Sequence, residues 1–261
     1  MTEKLSCHTI TFVEWDNRGL SRPKQRAVAS EVPVALEVNG FGFAVLMASG
    51  ADIEDLACGF LLSDRVIDGS ADIAAISCQP AEGGVLVRIT LAPHLTERVG
   101  ERVRPRLSDS SCGLCGIENI EQVMRPLPPL PQTSQAQPAA IFRARAALGH
   151  HQPLNAATGA VHAAALADAE GNLRLVREDV GRHNALDKLI GAMRRQGLDW
   201  DGGFVLMTSR CSYELVEKAA LAGCPMLATF SAPTGLAIDR ARAAGLRLAV
   251  LARDDTFLEI A

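Results

Sequence analysis

The chain has 261 residues, a formal net charge of −4 and 48% hydrophobic residues, which is enough apolar material for one large domain or two modest ones. This slightly acidic balance argues against a general nucleic-acid-binding or membrane-surface protein. The first 30 residues are rich in charge, and the best apolar run, 41–51, is far shorter than the roughly 20 residues that span a bilayer. We therefore expect a cytoplasmic protein without a membrane segment.

The first part of the chain predicts a small α+β unit. Asn39-Gly40, between two apolar runs, is the strongest two-residue signal for a β-hairpin. Asp52 precedes a stretch with helical apolar spacing and is a candidate N-cap. In chain order, we predict two strands, a helix and two further strands: 32–38, 41–47, 53–63, 73–78 and 85–91.

The segment 125–138 is the best candidate for a domain boundary. It contains five prolines in 14 residues, a composition typical of a stiff, extended connection. We therefore divide the chain into a small α+β domain over 1–125, a proline-rich linker over 126–138 and an α/β domain over 139–261.

The second domain alternates between strands and helices with short connections. Such alternation predicts right-handed crossovers and a partly parallel sheet. The predicted helices are 139–148, 184–195, 212–222 and 234–244. The predicted strands are 160–166, 173–176, 204–207, 225–230 and 246–252.

The motif Cys-Gly-Leu-Cys-Gly over 112–116 is the sharpest chemical signal, in a chain whose seven cysteines do not suggest a disulfide framework. Its two thiols can reach each other, a metal ion or the sulfur of a partner, and Arg102, Arg104 and Arg106 favour the nucleophilic thiolate. A zinc knuckle, which needs four ligands, a thioredoxin-like pair and two inert cysteines remain alternatives. The pattern favours a thiol that carries a covalent group, and we expect no bound metal.

A second signal is the charged segment Glu-Asp-Val-Gly-Arg-His-Asn-Ala-Leu-Asp-Lys over 178–188. Arg182 and His183 stand at the predicted start of a helix, where backbone amides favour anions. Ordinary capping and a solvated helix face explain the same residues equally well. His162, alone on a predicted strand, is more often structural.

A third signal is a pair of strand-to-helix loops, 209–212 and 231–235. In α/β sheets the ligand crevice lies beyond the carboxyl ends of the strands, where hydroxyl groups and free amides suit phosphate. Simple N-capping by Ser and Thr is the alternative. The loops add four candidate ligand-binding residues: Ser209, Arg210, Ser231 and Thr234.

Taken together, these motifs resemble the FdhD family over nearly the whole chain. The segments that carry the resemblance are 29–33, 38–40, 55–62, 112–116, 158–162, 178–188, 212–218 and 231–237. Ala160, Ser209 and Arg65 depart from the family pattern, which usually has glycine at each of these positions.

The resemblance implies an α/β fold with a cytidine-deaminase-like C-terminal domain and a smaller α+β N-terminal domain. It implies a sulfur carrier that takes sulfur from a cysteine desulfurase. Because Cys112 comes first on the Ser- and Gly-containing loop and has the arginines nearer in sequence, we predict that it carries the persulfide, with Cys115 assisting or partly redundant. The acceptor would be the bis-molybdopterin guanine dinucleotide form of the molybdenum cofactor, before its insertion into formate dehydrogenase. A homodimer is also implied.

The nucleotide contacts are expected at the carboxyl ends of the strands, with Arg182, His183 and Arg210 as donors. The resemblance places a further contact on the closing strand and its end, at Val250, Leu251, Ala252, Arg253, Asp254 and Asp255. A cofactor-binding chaperone without sulfur transfer and a thiol-disulfide protein are the alternative functions.

The deaminase-like fold also raises the possibility of a zinc deaminase. That chemistry needs a His-x-Glu pair, whose glutamate shuttles protons, and a Pro-Cys-x-x-Cys pair. Here Ala185 stands where the glutamate would be, and Glu214 replaces the second cysteine. We therefore do not expect deamination, although His183 and Cys211 remain candidates for lining the same pocket.

Overall fold

The computed structural model describes residues 7–100 and 125–260. The N-terminal part contains β1 (Cys7–Trp15), β2 (Ser21–Ala29), β3 (Val32–Val38), β4 (Phe41–Ala48), α1 (Ile53–Ser63), β5 (Ile73–Ala81) and β6 (Gly84–Leu91). The C-terminal part contains α2 (Pro138–Leu148), α3 (Pro153–Thr158), β7 (His162–Ala167), β8 (Leu173–Asp179), α4 (Arg182–Gln196), β9 (Phe204–Met207), α5 (Tyr213–Leu221), β10 (Met226–Thr229), α6 (Gly235–Ala244), β11 (Arg247–Val250) and β12 (Leu258–Glu259).

A four-stranded sheet in the order β4-β3-β6-β5 forms the centre of the N-terminal part. The predicted hairpin is confirmed: Asn39 and Gly40 have φ angles of 48° and 84°, as a tight two-residue turn requires. Helix α1 covers one face of this sheet, and the Phe43 and Phe60 rings meet edge to face with centroids 6.3 Å apart. The helix bounds predicted over 53–63 are also confirmed.

The C-terminal part is a six-stranded sheet between layers of helices, in the strand order β12-β11-β10-β9-β7-β8. Strands β9, β10 and β11 are parallel, as the alternating pattern predicted, whereas β7, β8 and β12 join antiparallel. Helices α4, α5 and α6 share an apolar core on one face, and α2 packs on the other. The mixed α/β class is therefore confirmed.

The two parts meet where α1 crosses α4. Gly59 and Gly191 stand at the crossing, and a Cβ atom on either would clash with backbone of the other helix. Around this contact, the buried Asp55 carboxylate accepts from Arg177 at 2.8 Å and also pairs with Arg195. Close backbone approach and buried charge pairing together fix the orientation of the two helices.

The proline-rich segment runs without helix or strand from 125 to 137. It is held along the C-terminal part by backbone contacts: Gln135 donates to the Gly202 carbonyl at 2.7 Å, and Leu130 donates to the Ala244 carbonyl at 3.4 Å. The guanidinium group of Arg247 adds a bond to the Ser134 carbonyl at 3.2 Å. The division of the chain into domains at this segment stays a prediction.

The hairpin β1–β2 and helix α3 are elements that sequence reasoning missed. The paired strands of the hairpin are almost entirely exposed, so no buried face imposes an alternating pattern on their sequence. The short α3 begins at a proline and spans six residues, too few for helical periodicity to show. Within the described residues, no helix is long and apolar enough to cross a bilayer.

Candidate functional site

Three loops meet at the carboxyl ends of the parallel strands β9, β10 and β11. Cys211 and Pro233 form a parallel bridge between the first two loops, and the Ser231 amide donates to the Ser209 carbonyl at 3.2 Å. The Leu251 amide reaches the Ser231 carbonyl at 3.4 Å and ties in the third loop. The loops 209–212 and 231–235 thus meet at the carboxyl ends of their strands, as predicted, and the segment 250–255 joins them there; this place is called the sheet edge.

Two of the hydroxyl groups predicted to bind the ligand at the sheet edge already make hydrogen bonds to nearby backbone groups. Ser209 is 2% exposed, and its hydroxyl donates to the Arg210 carbonyl at 3.0 Å. The Thr234 hydroxyl caps α6 by accepting from the Ala237 amide at 3.3 Å. Capping, the alternative noted for this loop, therefore holds for Thr234, while Ser231 is half-buried and Arg210 is exposed.

The third loop combines a strained residue with exposed charges. Leu251 has a φ angle of 53°, in the left-handed region that non-glycine residues rarely adopt. After it, the Arg253 amide donates to the Thr256 carbonyl at 2.7 Å, and its guanidinium group contacts the Phe230 carbonyl. The exposed Asp254 carboxylate contacts Arg145. The buried Val250 and Ala252 anchor the loop, while Arg253, Asp254 and Asp255 face solvent.

Arg182 and His183 begin helix α4 beside the same edge. The His183 Nε2 atom lies 3.8 Å from a Glu214 carboxylate oxygen, and both side chains are about one-third exposed. Burial and the charge of Arg182 hold the pKa of His183 below its usual value of 6.5. The Arg182 Nε and His183 Nε2 atoms are buried, and neither has a hydrogen-bond partner among the described residues. The buried Arg182 Nε donor without an acceptor among the described residues, at the N-terminus of a helix, favours an anionic ligand.

His162, which sequence reasoning treated as structural, lies at the same end of the sheet. It is the first residue of β7, and its Nδ1 atom is 3.4 Å from the hydroxyl of Thr208, directly after β9. Burial, and then the charge of Arg182, lowers its pKa. Because β7 runs antiparallel to β9, its first residue falls where β9 ends. That pairing, once predicted, would have placed His162 at the sheet edge.

Most charged residues of the segment 178–188 serve the contact between the two parts of the chain. The Asp179 carboxylate and Lys188 ammonium form a fully buried ion pair at 2.5 Å. Asp179 also accepts from the Ser49 amide at 3.0 Å, and Lys188 donates to the Ser49 carbonyl at 3.0 Å. The Asn184 side chain donates to the Met47 carbonyl at 2.7 Å. These contacts hold the turn after β4 against α4.

The other acidic residues of this segment are also engaged. Glu178 accepts from the first backbone amides of α3, those of Leu154 at 2.9 Å and Asn155 at 2.8 Å. Asp187 accepts from the Lys218 ammonium at 2.7 Å and the Ser63 hydroxyl at 2.7 Å. Only Arg182 and His183 among the charged or titratable residues of this segment are left to face the sheet edge.

The cysteines that the structure describes differ in burial. Burial raises the pKa of Cys211 to about 12, of Cys58 to about 11 and of Cys224 to about 12. These thiols are therefore poor nucleophiles at neutral pH. The predicted persulfide residues, Cys112 and Cys115, lie outside the described residues. Among the residues that are described, no group of three His, Cys, Asp or Glu side chains is arranged to hold a metal ion.

The chain on either side of the segment 101–124 lies against one turn, residues 65–68. Upstream, the Arg98 guanidinium group donates to the Val66 carbonyl at 3.3 Å and to the Asp68 carboxylate at 3.1 Å. Downstream, the Arg65 guanidinium group reaches the Pro126 carbonyl at 3.5 Å. The described residues on either side of the segment that carries both candidate thiols therefore contact neighbouring residues of one turn.

Comparison with known proteins identifies the family. Residues 29–259 match the model of the FdhD/NarQ family. A protein named sulfur carrier protein FdhD from Xanthomonas euvesicatoria pv. vesicatoria is 49% identical over 236 residues, which cover 90% of this chain and 84% of that protein. A protein of the same name from Chromobacterium violaceum is 47% identical over 244 residues, covering 92% of this chain and 90% of that protein.

The fold is similar to that of a solved structure. A crystal structure of a Desulfotalea psychrophila protein, assigned as a formate dehydrogenase accessory protein, superposes with a TM-score of 0.77 at 23% identity. The match covers 97% of this chain and 96% of that chain, so it includes both parts of the fold. With the family model matching residues 29–259, the chain belongs to the FdhD/NarQ family.

Proposed function

We propose that the protein is a sulfur carrier in the maturation of formate dehydrogenase. The observation that carries this proposal is the sheet edge, where the buried Arg182 Nε atom, without a hydrogen-bond partner in the described part of the chain, adjoins the loops after three parallel strands. The names of the similar Xanthomonas and Chromobacterium proteins support it, as both are called sulfur carriers. The cysteine motif over 112–116 supplies the thiols.

In the proposed loading step, the thiolate of Cys112 attacks the terminal sulfur of a persulfide on a cysteine desulfurase. The bond between the two sulfur atoms of the donor breaks, and the donor cysteine leaves as a thiolate. Cys112 then carries the persulfide, and no net oxidation has occurred. The arginines at 102, 104 and 106 favour the attacking thiolate by their charge.

In the proposed delivery step, the Cys115 thiolate attacks the inner sulfur of the Cys112 persulfide. A disulfide between Cys112 and Cys115 forms, and the terminal sulfur leaves as sulfide toward the acceptor. The two cysteines supply the two electrons that reduce the sulfur, and a cellular dithiol then reduces the disulfide. This division of work explains why a pair of thiols is needed.

The proposed acceptor is the bis-molybdopterin guanine dinucleotide molybdenum cofactor, held as a substrate before its insertion into formate dehydrogenase. Its guanine nucleotide would occupy the sheet edge, with phosphate near Arg182, His183 and Arg210 and a further contact at 250–255. Arginine suits phosphate because its planar donors bind two oxygens at once. The buried Arg182 Nε atom, which has no hydrogen-bond partner among the described residues, fits such an anion.

A cytidine-deaminase-like description of the C-terminal domain belongs to the same proposal. It is supported by the positions of His183 and Cys211, at the start of α4 and directly before α5. Deamination itself lacks its proton shuttle, because the fully buried Ala185 stands in place of the catalytic glutamate. A nucleotide-binding edge without that glutamate favours binding over hydrolysis.

We also propose a homodimer, in which a second copy covers the apolar side chains of the hairpin β1–β2. A two-stranded hairpin is marginally stable on its own in water. This hairpin nevertheless exposes large apolar side chains: Ile10, Phe12, Val13, Trp15 and Leu20. The edge strand β4 exposes three more, namely Phe41, Val45 and Met47. Exposed apolar surface of this extent is typical of a protein interface.

Mass spectrometry after incubation with a cysteine desulfurase and cysteine tests the loading step. We expect one added sulfur atom on the peptide that contains residues 112–116, and none on it in the Cys112→Ala protein. A wild-type peptide without added sulfur would instead favour a cofactor-binding chaperone. Cys115→Ala should load sulfur normally yet fail to activate client formate dehydrogenase, which separates loading from delivery.

A further inference from the structure

The hydroxyl group of Thr208, directly after β9, is held in place by hydrogen bonds to β7. Its oxygen accepts from the Ala163 amide at 2.9 Å, while the Thr208 amide donates to the Ala163 carbonyl at 3.1 Å. The Nδ1 atom of His162 lies 3.4 Å from the same hydroxyl oxygen. Among the residues that the structure describes, this hydroxyl makes no other hydrogen bond. Its proton therefore points to Nδ1 of His162, which accepts it.

This hydrogen bond determines which nitrogen atom of the His162 ring carries a proton. Burial, and then the charge of Arg182, holds the pKa of His162 below its usual value of 6.5, so the ring is neutral at neutral pH. A neutral imidazole has one N–H group, and an accepting Nδ1 atom leaves that group on Nε2. His162 therefore presents a hydrogen-bond donor that carries no positive charge.

His162 lies beside the start of helix α4. It pairs with Asp179, the last residue of β8, and a short turn then leads to Arg182. No described residue accepts a hydrogen bond from the Nε2 atom of His162, and the buried Nε atom of Arg182 also has no partner in the described part of the chain. Two donors from different elements, β7 and α4, thus lie beside the sheet edge without an acceptor for either.

We propose that His162 is a further ligand-binding residue, whose Nε2–H group donates to a phosphate oxygen at the sheet edge, and that Thr208 is the positioning residue that sets its tautomer. The inference rests on the nucleotide site proposed above. Arg182 supplies the charge for the phosphate group, whereas the neutral ring of His162 supplies a directed hydrogen bond. Because Thr208 already fixes the ring, little conformational freedom is lost when the ligand binds.

Four substitutions at two positions separate the donor from the residue that orients it. His162→Ala removes the donor, whereas His162→Gln retains an amide N–H group near the position of Nε2. Thr208→Val removes the hydroxyl group, and Thr208→Ser keeps it. His94→Ala is the matched control, because the His94 side chain is 66% exposed and lies near Asp72 in the N-terminal part of the fold. Isothermal titration measures GDP binding, and circular dichroism verifies that each variant is folded.

We expect His162→Ala to weaken GDP binding by about tenfold, as for the loss of one hydrogen bond to a charged group. His162→Gln should recover part of this affinity. Thr208→Val should weaken binding by about two- to threefold, because only part of the population then carries the proton on Nε2. The Thr208→Ser and His94→Ala proteins should bind GDP as the wild type does.

Nitrogen NMR of isotope-labelled histidine reads the tautomer directly. In the free wild-type protein we expect the proton of His162 on Nε2, and in Thr208→Val we expect both tautomers. GDP and inorganic pyrophosphate should each shift the Nε2–H resonance of His162. Guanosine, which has no phosphate group, should leave this resonance unchanged.

Unchanged GDP binding by the His162→Ala protein would overturn the inference and leave the proposed nucleotide site in place. A proton on Nδ1 of His162 in the wild-type protein would also overturn it, whatever ligand is bound. A response of the His162 resonance to guanosine but not to pyrophosphate would refute the phosphate contact. If the wild-type protein bound no GDP, the nucleotide site itself would fail together with this inference, so the wild-type titration distinguishes the two failures.

Discussion

Asp179 and Lys188 form an ion pair that is closed to solvent on every side, with carboxylate oxygen and ammonium nitrogen 2.5 Å apart and both side chains 0% exposed. The pair lies at the contact between the two parts of the fold, because both residues also bond to Ser49 after β4. Burying two charges is costly, and here the Ser49 backbone groups and hydroxyl supply further hydrogen bonds to the buried carboxylate and ammonium groups. The pair therefore stabilises the contact between the two parts of the fold and has no role in the proposed chemistry.

Asp179→Asn should lower the free energy of unfolding by about 3–5 kcal/mol, because it leaves the Lys188 ammonium buried without its counter-charge. Urea denaturation followed by circular dichroism measures the change. Asp201→Asn, which breaks the exposed ion pair with Arg174, is the matched control and should change stability by less than about 1 kcal/mol. An equally small change in the free energy of unfolding from both substitutions would contradict a stabilising role for the buried Asp179–Lys188 pair.

Isothermal titration should detect binding of GDP, and weaker binding of ADP, at the sheet edge. Arg182→Ala should weaken GDP binding by about tenfold, as expected for the loss of one charged hydrogen-bonding partner of phosphate. Arg253→Ala tests the third loop in the same way. Arg88→Ala serves as a control, since Arg88 lies on β6 of the other sheet. Equal binding of both nucleotides, unaffected by these substitutions, would remove the nucleotide from this edge.

Stability should fall on the acid side of neutrality through His162 and His183. Burial holds the pKa of each below 6.5 in the folded protein, so the unfolded chain binds more protons just below that pH. The free energy of unfolding therefore falls as the pH drops below the histidine pKa of the unfolded chain. It stops falling once the pH is below the lower pKa that these histidines have in the folded protein. Urea midpoints between about pH 7.5 and about pH 5.5 measure this slope. In the double variant His162→Gln and His183→Gln, the urea midpoint should depend less steeply on pH. An unchanged dependence would show that these histidines do not cause the loss of stability.

Replacing Phe12 and Trp15 by serine should convert the proposed dimer into a monomer. Both side chains are exposed on the hairpin β1–β2, at 45% and 68%, and their burial against a second copy would supply apolar contact area. Light scattering coupled to size-exclusion chromatography measures the mass. Arg174→Ser, on β8 of the six-stranded sheet, is the control and should leave the proposed dimer intact. A wild-type protein that elutes as a monomer at micromolar concentration would refute the homodimer.

Short-range features of the sequence determined much of this fold. The Asn39-Gly40 turn, the helix over 53–63 and the parallel arrangement of β9, β10 and β11 were predictable, because turn chemistry and periodicity act within a few residues. The meeting of two loops at one sheet edge was also predictable, because parallel strands end on the same side.

Only the tertiary structure decided which charges of the segment 178–188 hold the fold and which face the site. Asp179 meets Ser49 across 130 positions of sequence, and Ser63 meets Asp187 across 124. The sequence of 178–188 alone cannot reveal such partners, since capping, ion pairing and ligand binding all use the same residue types. The sequence placed Arg182 and His183 at a helix start, and only the tertiary packing buried the Arg182 Nε and His183 Nε2 atoms without a hydrogen-bond partner among the described residues.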